Sequence, residues 1–198
     1  MYICQYKSAK KVKQPDYLKK FLMFSAQNLE QYKIAVSSGQ GASFDWRIKE
    51  AIMYAIGNLV EHIQPFPELR ALMEPMMSNH VLPELENHQP FLRMRALWMY
   101  GQFTEHMKFK DNDHLNKVVG LSFRCLHSDP DMPVRLTAAT SVNKLLHNKD
   151  ASQLLKPHLR EILESYLKLM QEIESEELVN ALEEIVSLYK DDIDPFAI

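Results

Sequence analysis

The 198 residues include 23 basic and 26 acidic side chains, which gives a formal net charge of −3. That balance argues against a general affinity for nucleic acid. Apolar residues make up 46% of the chain, which is enough to bury a sizeable core. Two cysteines, Cys4 and Cys125, are too few for a disulfide framework, and no apolar run is long enough to span a membrane. The composition therefore predicts a soluble protein of a reducing, intracellular compartment.

Apolar residues recur at helical spacing along the whole chain, and no alternation at period two is sustained. The stretch DYLKKFLMFSAQNLEQY predicts a first helix, and a linker of small residues, VSSGQGAS, follows over 36–43. The next predicted helix is FDWRIKEAIMYAIGNLVEHI. Pro65 and Pro67 end it and open another, because proline suits a first turn and disrupts a helix interior. The remaining helices are predicted over roughly 91–107, 113–127, 133–147, 152–172 and 175–190.

One phrase recurs at intervals in the forties. LRMRALWMYGQF begins at Leu92, and VRLTAATSVNKL begins 42 residues later at Val134. An earlier copy, IKEAIMYAIGNL, begins at Ile48, and a fainter fourth copy, ELVNALEEIVSL, begins at Glu177. Such a period with two helices in each unit is typical of an α-solenoid, because one helix pair cannot bury its apolar faces alone and stacks on its neighbours.

The turn before the third copy combines acids, a proline and an arginine. In HSDPDMPVRLTAATSVNKLL, Asp129 and Asp131 precede Pro133, and Arg135 follows just inside the helix. A serine or aspartate of this turn suits the helix cap, and the proline suits the first turn. Arg135 is within reach of Asp129 or Asp131. In stacked repeats such pairs form a ladder, although each exposed pair contributes only ~0–1 kcal/mol.

The pattern D-P-D-M-P-V-R-x-x-A-A-x-x-V-x-x-L-L closely resembles the HEAT repeat, in which each unit is a pair of helices. Asp129 or Asp131 and Arg135 match the turn acid and the helix arginine of that pattern. The resemblance implies an all-α, right-handed α-solenoid, an armadillo-like superhelix, of about three and a half repeats. The predicted divisions are an N-terminal helix and linker over 1–43, then repeats over 44–88, 89–128, 129–172 and, in part, 173–198.

Seven phrases, in this order, resemble the middle of a β-karyopherin, specifically the importin seven and eight subgroup of nuclear transport receptors: AIGNL, NHVLPEL, LRMRALWMYGQF, KFK, RCL, DMPVRLTAA and KPHLREIL. The resemblance covers about residues 17–198. Members of the family have many more repeats, so we expect this chain to be a central segment of a longer receptor.

The resemblance also implies a function and a set of partners. It implies a non-enzymatic segment that helps to carry protein cargo through the nuclear pore, in the cytoplasm, in the nucleus and at the nuclear envelope. Cargo release is linked to Ran in its GTP form. In the family Ran-GTP binds N-terminal repeats, so its main site is expected outside this chain. No cofactor is implied.

Two aromatic residues are candidates for nucleoporin binding. Tyr54 and Trp98 occupy equivalent helix positions 44 residues apart, off the main core stripe. In the karyopherin family, Phe-Gly repeats of nucleoporins insert between neighbouring helices of the outer layer. The resemblance thus implies a crevice bordered by Tyr54 and Trp98. The alternative interpretation is ordinary packing between stacked repeats.

A run of acids near the end of the chain is a candidate for cargo binding. Four members of the run, Glu172, Glu174, Glu176 and Glu177, would attract a basic cargo protein. The alternative is a solvated acidic helix face.

Motifs for catalysis and metal binding are missing from the sequence. The eight histidines do not form HExxH or another paired-ligand spacing. His80 and Glu84 are four residues apart, but Pro83 intervenes, so a structural histidine is the simpler interpretation. We predict no enzyme activity, no metal or cofactor site, and no direct binding to nucleic acid or membrane.

Two other classes of protein remain as alternatives. One is a HEAT-repeat scaffold subunit of another assembly, for example a phosphatase-type scaffold. The other is a helical enzyme such as a DNA glycosylase built from HEAT-like repeats, which requires a basic groove and is disfavoured by the net charge of −3. Binding to Ran-GTP or to Phe-Gly peptides separates the transport receptor from both.

Overall fold

The computed structural model describes residues 15–39 and 45–193, and it contains helices but no strand within those ranges. The chain divides into two compact units, the first ending at Pro83 and the second beginning at Glu84. Residues 40–43 of the predicted linker lie outside the described residues. The sequence-based prediction of an all-α fold is confirmed.

Helices α1 to α4 make up the described part of the first unit: α1 Pro15–Ser37, α2 Trp46–Gly57, α3 Val60–Ile63 and α4 Pro67–His80. The first helix packs on both α2 and α4. The buried face of α1 consists of apolar side chains and one serine: Leu18, Phe21, Leu22, Ser25, Leu29 and Tyr32.

Helices α5 to α11 make up the second unit: α5 Pro90–Phe103, α6 Asn112–Ser128, α7 Met132–His147, α8 Lys149–Leu155, α9 Leu159–Glu172, α10 Glu176–Leu188 and α11 Lys190–Ile193. Two short 3-10 turns complete the described elements, Leu82–Glu86 at the division between the units and Lys156–His158 between α8 and α9.

Successive helix pairs of the second unit stack on one another. Helix α7 packs between α5 and α10, and α6 packs on α9. The first helices of three neighbouring repeats therefore form one layer, and the second helices form another. Ala138, Ala139 and Val142 of α7 are fully buried. This is the stacking of two-helix HEAT units that the recurring phrase predicts, and it arises because each pair has apolar faces on both sides.

Helices α5 and α7 approach each other closely at Gly101. A Cβ atom added there would lie 3.3 Å from the Oγ of Ser141 and 3.3 Å from the Cδ of Lys144. The Ser141 hydroxyl donates a hydrogen bond of 2.8 Å to the carbonyl oxygen of Leu97. Glycine is therefore favoured at this position by the short distance between the two helices, since a larger residue would force Ser141 or Lys144 to shift by a few tenths of an ångström.

One predicted helix is wrong at its start. The sequence periodicity predicts a single helix over 152–172, whereas the structure has α8, a 3-10 turn and α9 in this region. The turn contains Pro157, which has no backbone N–H to continue the helical ladder. Helix α8 begins earlier than predicted because Asn148 caps it, and its Oδ1 accepts hydrogen bonds from the backbone N–H groups of Asp150 and Ala151, each 3.1 Å long.

Candidate functional site

A buried charged cluster joins two neighbouring repeats of the second unit. The Arg93 guanidinium donates from Nε to Asp129 Oδ2 at 2.7 Å and from Nη2 to Asp129 Oδ1 at 2.8 Å. Nη2 also donates to Asp131 Oδ2 at 2.7 Å. The side chains of Arg93 and Asp129 are only 10% and 6% exposed. The hydrogen bonds that Arg93 donates to Asp129 raise the pKa of the guanidinium, so Arg93 stays charged.

Arg135 continues this ladder toward the following repeat. Its Nη1 donates to the backbone carbonyl oxygen of Asp129 at 3.0 Å, and its Nη2 forms an ion pair with Glu172. The sequence spacing suggests a carboxylate of the turn as the partner of Arg135. In the structure those carboxylates instead bind Arg93, which lies 42 residues before Arg135 and is its counterpart in the preceding copy.

The predicted capping role of the turn acids differs in detail from the structure. Asp131 is the N-cap residue of α7, but its side chain makes no capping hydrogen bond. Its carboxylate accepts from Arg93 instead. Asp129 Oδ1 accepts a 3.0 Å hydrogen bond from the backbone N–H of Asp131, which fixes the turn. Both acids therefore orient the junction between repeats.

A cavity of about 550 Å³ lies between α5, α7 and α10. Helix α5 supplies Trp98, α7 supplies Thr137 and Thr140, and α10 supplies Asn180 and Ala181. One aromatic side chain thus lines the cavity together with several small residues and Leu136 of α7. A cavity of this size and lining can accept a large apolar side chain of a peptide.

Polar groups around the same cavity can bind a peptide main chain. Gln102 and Asn180 each present a carboxamide, which both donates and accepts hydrogen bonds. The Nδ2 of Asn143, by contrast, already donates a 2.6 Å hydrogen bond to Glu184 Oε2. The Oδ1 atom of Asn143 is buried and has no hydrogen-bond partner in the described part of the chain. Three charged residues also line the cavity, the acids Glu177 and Glu184 and the basic Lys144.

Tyr54 and Trp98 lie in different units. Tyr54 is on α2 of the first unit, where it is 50% exposed. Trp98 is on α5 of the second unit, and the guanidinium of Arg95 lies 4.8 Å from its ring centroid. The crevice that the two aromatic residues are expected to share stays a prediction. The cavity beside Trp98 was not predicted, because its walls come from three repeats.

The four acids of the cargo hypothesis have different surroundings. Glu172 forms the ion pair with Arg135, so much of its charge is compensated. Glu174, Glu176 and Glu177 are exposed, and the last two lie in the first turn of α10, where negative charge is favourable. Sequence reasoning missed Glu184 of α10, which lies 3.1 Å from the Nε2 of His147.

Two residues with reactive side chains elsewhere, Cys125 and His80, are buried. Cys125 is 3% exposed, and burial raises the pKa of its thiol to about 11. Burial also lowers the pKa of His80, which lies 3.7 Å from Glu30 within the first unit. No group of three or more metal-ligating side chains occurs among the described residues. None of the described helices is both long enough and apolar enough to cross a membrane.

Stacked helix pairs with charged ladders at their turns define the class of protein. The second unit is an α-solenoid of HEAT repeats, in which exposed helix faces and the clefts between them are the natural places for contact with other proteins.

Comparison with known proteins gives the family. The chain is 30% identical over 175 residues to a probable importin-7 homolog of Dictyostelium discoideum, which covers 88% of this chain and 16% of that protein. It is 29% identical over 157 residues to importin-8 of Homo sapiens, covering 79% of this chain and 15% of the relative. An importin beta-like SAD2 homolog of Arabidopsis thaliana is 26% identical over 181 residues, covering 90% of this chain and 17% of that protein. The chain belongs to the importin-β family, as the ordered phrases predict.

The chain spans about a sixth of the length of these relatives. No protein-family model matches it, and no solved structure is significantly similar to it.

Proposed function

We propose that this chain is a non-enzymatic, protein-binding segment of a nuclear transport receptor. The observation that carries the proposal is the similarity to importins over 79–90% of the chain, together with a HEAT-repeat fold whose exposed clefts can bind peptides. The full-length receptor carries protein cargo through the nuclear pore and is found in the cytoplasm, in the nucleus and at the nuclear envelope. Ran-GTP acts mainly on repeats outside this segment.

We further propose that the cavity beside Trp98 binds the phenylalanine of a nucleoporin Phe-Gly repeat. A phenyl ring in the cavity can pack against the indole in an offset or edge-to-face arrangement. The carboxamide oxygens of Gln102 and Asn180 offer acceptors for a peptide N–H. The small side chains of Thr137 and Thr140 on α7 and of Ala181 on α10 leave room for the ring. Tyr54 of the first unit is a second candidate contact for the same class of peptide.

Trp98→Ala is expected to weaken the binding of a fluorescent Phe-Gly peptide by about 30-fold, since buried tryptophan anchors at interfaces contribute ~2 kcal/mol or more. The measurement is fluorescence anisotropy with the full chain, accompanied by thermal unfolding of each variant.

Phe91→Ala is the matched control for this prediction. Phe91 is an aromatic residue of the same helix, is 53% exposed and does not line the cavity, so its replacement should leave the dissociation constant unchanged. A Trp98→Ala variant that binds as tightly as the parent, or that loses binding only because it unfolds, contradicts the site. Tyr54→Ala tests whether the first unit also contributes.

The acidic residues supply a second candidate surface, for basic cargo. Glu174, Glu176 and Glu177 are exposed, and no ion pair with them is present in the described part of the chain. Their combined replacement by glutamine is expected to weaken binding of a basic protein such as a histone by about 10-fold at low salt, because steering by exposed charge is strong there and is screened as salt rises.

Glu161, Glu164 and Glu183 are also exposed, and their combined replacement by glutamine removes the same formal charge from elsewhere on the second unit. Equal weakening by the two triple variants would show that net charge alone attracts the cargo. If every variant binds both the Phe-Gly peptide and the basic protein as the parent does, the result favours the alternative of a HEAT-repeat scaffold from another assembly.

A further inference from the structure

Helix α10 is fastened to the rest of the second unit at its C-terminal end. Tyr189 directly follows the helix. Its hydroxyl oxygen lies 2.9 Å from the carbonyl oxygen of Leu146 and 2.5 Å from the Oγ of Ser152. Just beyond it, Asp192 of α11 forms a 2.9 Å ion pair with the Nζ of Lys156. Tyr189 is 7% exposed, so its hydrogen bonds are shielded from water.

The N-terminal half of α10 is connected to α7 more weakly. Near this end, Arg135 of α7 forms an ion pair with Glu172, four residues before the helix, and the two side chains are 18% and 36% exposed. The corresponding side chains of the Arg93–Asp129 pair are only 10% and 6% exposed. Within residues 45–193, the hydrogen bonds and ion pairs that connect α10 or its cap to α7 involve only Glu184 and Tyr189. Toward its start the helix is held by Leu178 and Ala181, whose buried contacts are apolar. Apolar contacts have no preferred direction and permit sliding, whereas hydrogen bonds fix a geometry. The 550 Å³ cavity lies beside this same half.

The neighbouring junction between α5 and α7 is fixed along its entire length. At the start of the helices, Arg93 binds the two acids of the turn before α7. In the middle, the buried hydroxyl of Ser141 donates to the Leu97 carbonyl. At the end, Asn148 Nδ2 donates to the carbonyl oxygen of Thr104 at 2.9 Å. Three polar connections spread along two helices prevent both rotation and separation.

We propose that α10 pivots about Tyr189, so that its N-terminal half moves toward and away from α7 while α5 and α7 stay fixed together. The movement widens and narrows the cavity beside Trp98, because α10 forms one of its walls and the α5–α7 pair forms the others. It also changes the angle between successive repeats, since a solenoid bends by rotation at its junctions. The inference does not depend on which ligand occupies the cavity.

Pulsed dipolar electron paramagnetic resonance on the full chain tests the pivot. Nitroxide labels are attached in pairs in a Cys4→Ser and Cys125→Ala background, with one label always at Phe91→Cys of α5. The second label is placed at Lys149→Cys, Glu176→Cys or Ser187→Cys, all exposed positions. The first of these reports on the fixed α5–α7 block, the second on the start of α10 and the third on its end.

The distance distribution between positions 91 and 176 is expected to be at least twice as wide as that between 91 and 149. The distance distribution between positions 91 and 187 is expected to be as narrow as that between positions 91 and 149. Equal widths for all three pairs would overturn the pivot. A distribution at 187 as wide as that at 176, which simple fraying from the C-terminal end produces, would also overturn it.

Tyr189→Phe provides a second, independent test. This variant keeps the ring but removes the hydroxyl that bonds to Leu146 and Ser152, so the distribution between 91 and 187 should become as wide as that between 91 and 176. Tyr54→Phe, a matched change on α2 of the first unit, should alter neither distribution. An unchanged width at 187 in Tyr189→Phe would show that the tyrosine hydroxyl is not the pivot.

Discussion

Arg93→Met is expected to lower the free energy of unfolding by about 3–5 kcal/mol, which is typical of breaking a buried ion pair from one side. The substitution leaves the Asp129 carboxylate, 6% exposed, without its two guanidinium hydrogen bonds. It also removes the 2.7 Å hydrogen bond from Arg93 Nη1 to the carbonyl oxygen of Asn87. Urea denaturation followed by circular dichroism measures the loss.

A second substitution in the same variant identifies the cause. Asp129→Asn removes the carboxylate charge that Arg93→Met leaves without its two guanidinium hydrogen bonds, so the double variant is expected to recover about 1–3 kcal/mol of the loss. A double variant as unstable as Arg93→Met would mean that packing, rather than the charge of Asp129, dominates.

Arg124→Met is the matched control for Arg93→Met. Arg124 also pairs with a glutamate across a junction, Glu86, at 2.9 Å, but the two side chains are 55% and 58% exposed. Because solvent screens such a pair, its loss is expected to cost less than about 1 kcal/mol. Equal losses in the two variants would contradict the view that burial makes the Arg93 cluster the stronger connection.

Gly101→Val is expected to destabilise the chain by about 1–3 kcal/mol through overpacking between α5 and α7. The Cβ alone would lie 3.3 Å from Ser141 Oγ and 3.5 Å from Ser141 Cα, and the two methyl groups extend further. Ser141 cannot easily retreat, because its hydroxyl is bonded to the Leu97 carbonyl and its backbone belongs to α7. The helices must therefore separate, which weakens the apolar contacts between them. Urea denaturation measures the change.

Gly120→Val is the control that accounts for the change in helix propensity when glycine is replaced by valine. Gly120 lies inside α6, and a Cβ atom added there has no other atom within 4 Å. Both variants exchange glycine for valine within a helix, so the propensity term is the same and slightly favourable. Gly120→Val should be as stable as the parent or more stable. A similar loss in both would refute the explanation based on helix approach.

The two experiments bear on the same mechanical feature of the second unit. Both Arg93 and Gly101 hold α5 against α7, which is the fixed block in the proposed movement of α10. Variants that loosen this block should broaden the distance distribution between positions 91 and 149, which is narrow in the parent. Different residues therefore make the α5–α7 junction rigid and leave the α7–α10 junction free to move. Either set of residues can be changed without the other.

Sequence reasoning found the helices and their stacking because both depend on patterns that repeat locally. The apolar residues of VRLTAATSVNKL recur at helical spacing, and the phrase itself returns after 42 residues at Leu92 and Val134. The ordered phrases also gave the family. The break at Pro157 was visible in the sequence as well, but the strong periodicity of 159–172 concealed it.

The pairing of charges was not predictable in the same way. Neighbours in sequence suggested that Arg135 meets Asp129 or Asp131, yet those carboxylates bind Arg93, 36 and 38 residues away. The cavity beside Trp98 likewise has walls from three repeats. The binding roles of Tyr54, Trp98, Glu174, Glu176 and Glu177 remain predictions for the experiments above, and that of Glu172 remains a prediction as well.

The sequence by itself determined that the chain is all-α, that its units are helix pairs repeating every forty-odd residues, and that it is related to importins. Only the tertiary structure decided which arginine meets which aspartate, where a cavity remains, and which polar groups connect neighbouring helices. The physical reason is the distance along the chain over which each effect acts. Helical periodicity and helix caps depend on residues only a few positions apart. The stacking of repeats brings together side chains about forty residues apart, and which of them meet depends on the distance between the helices.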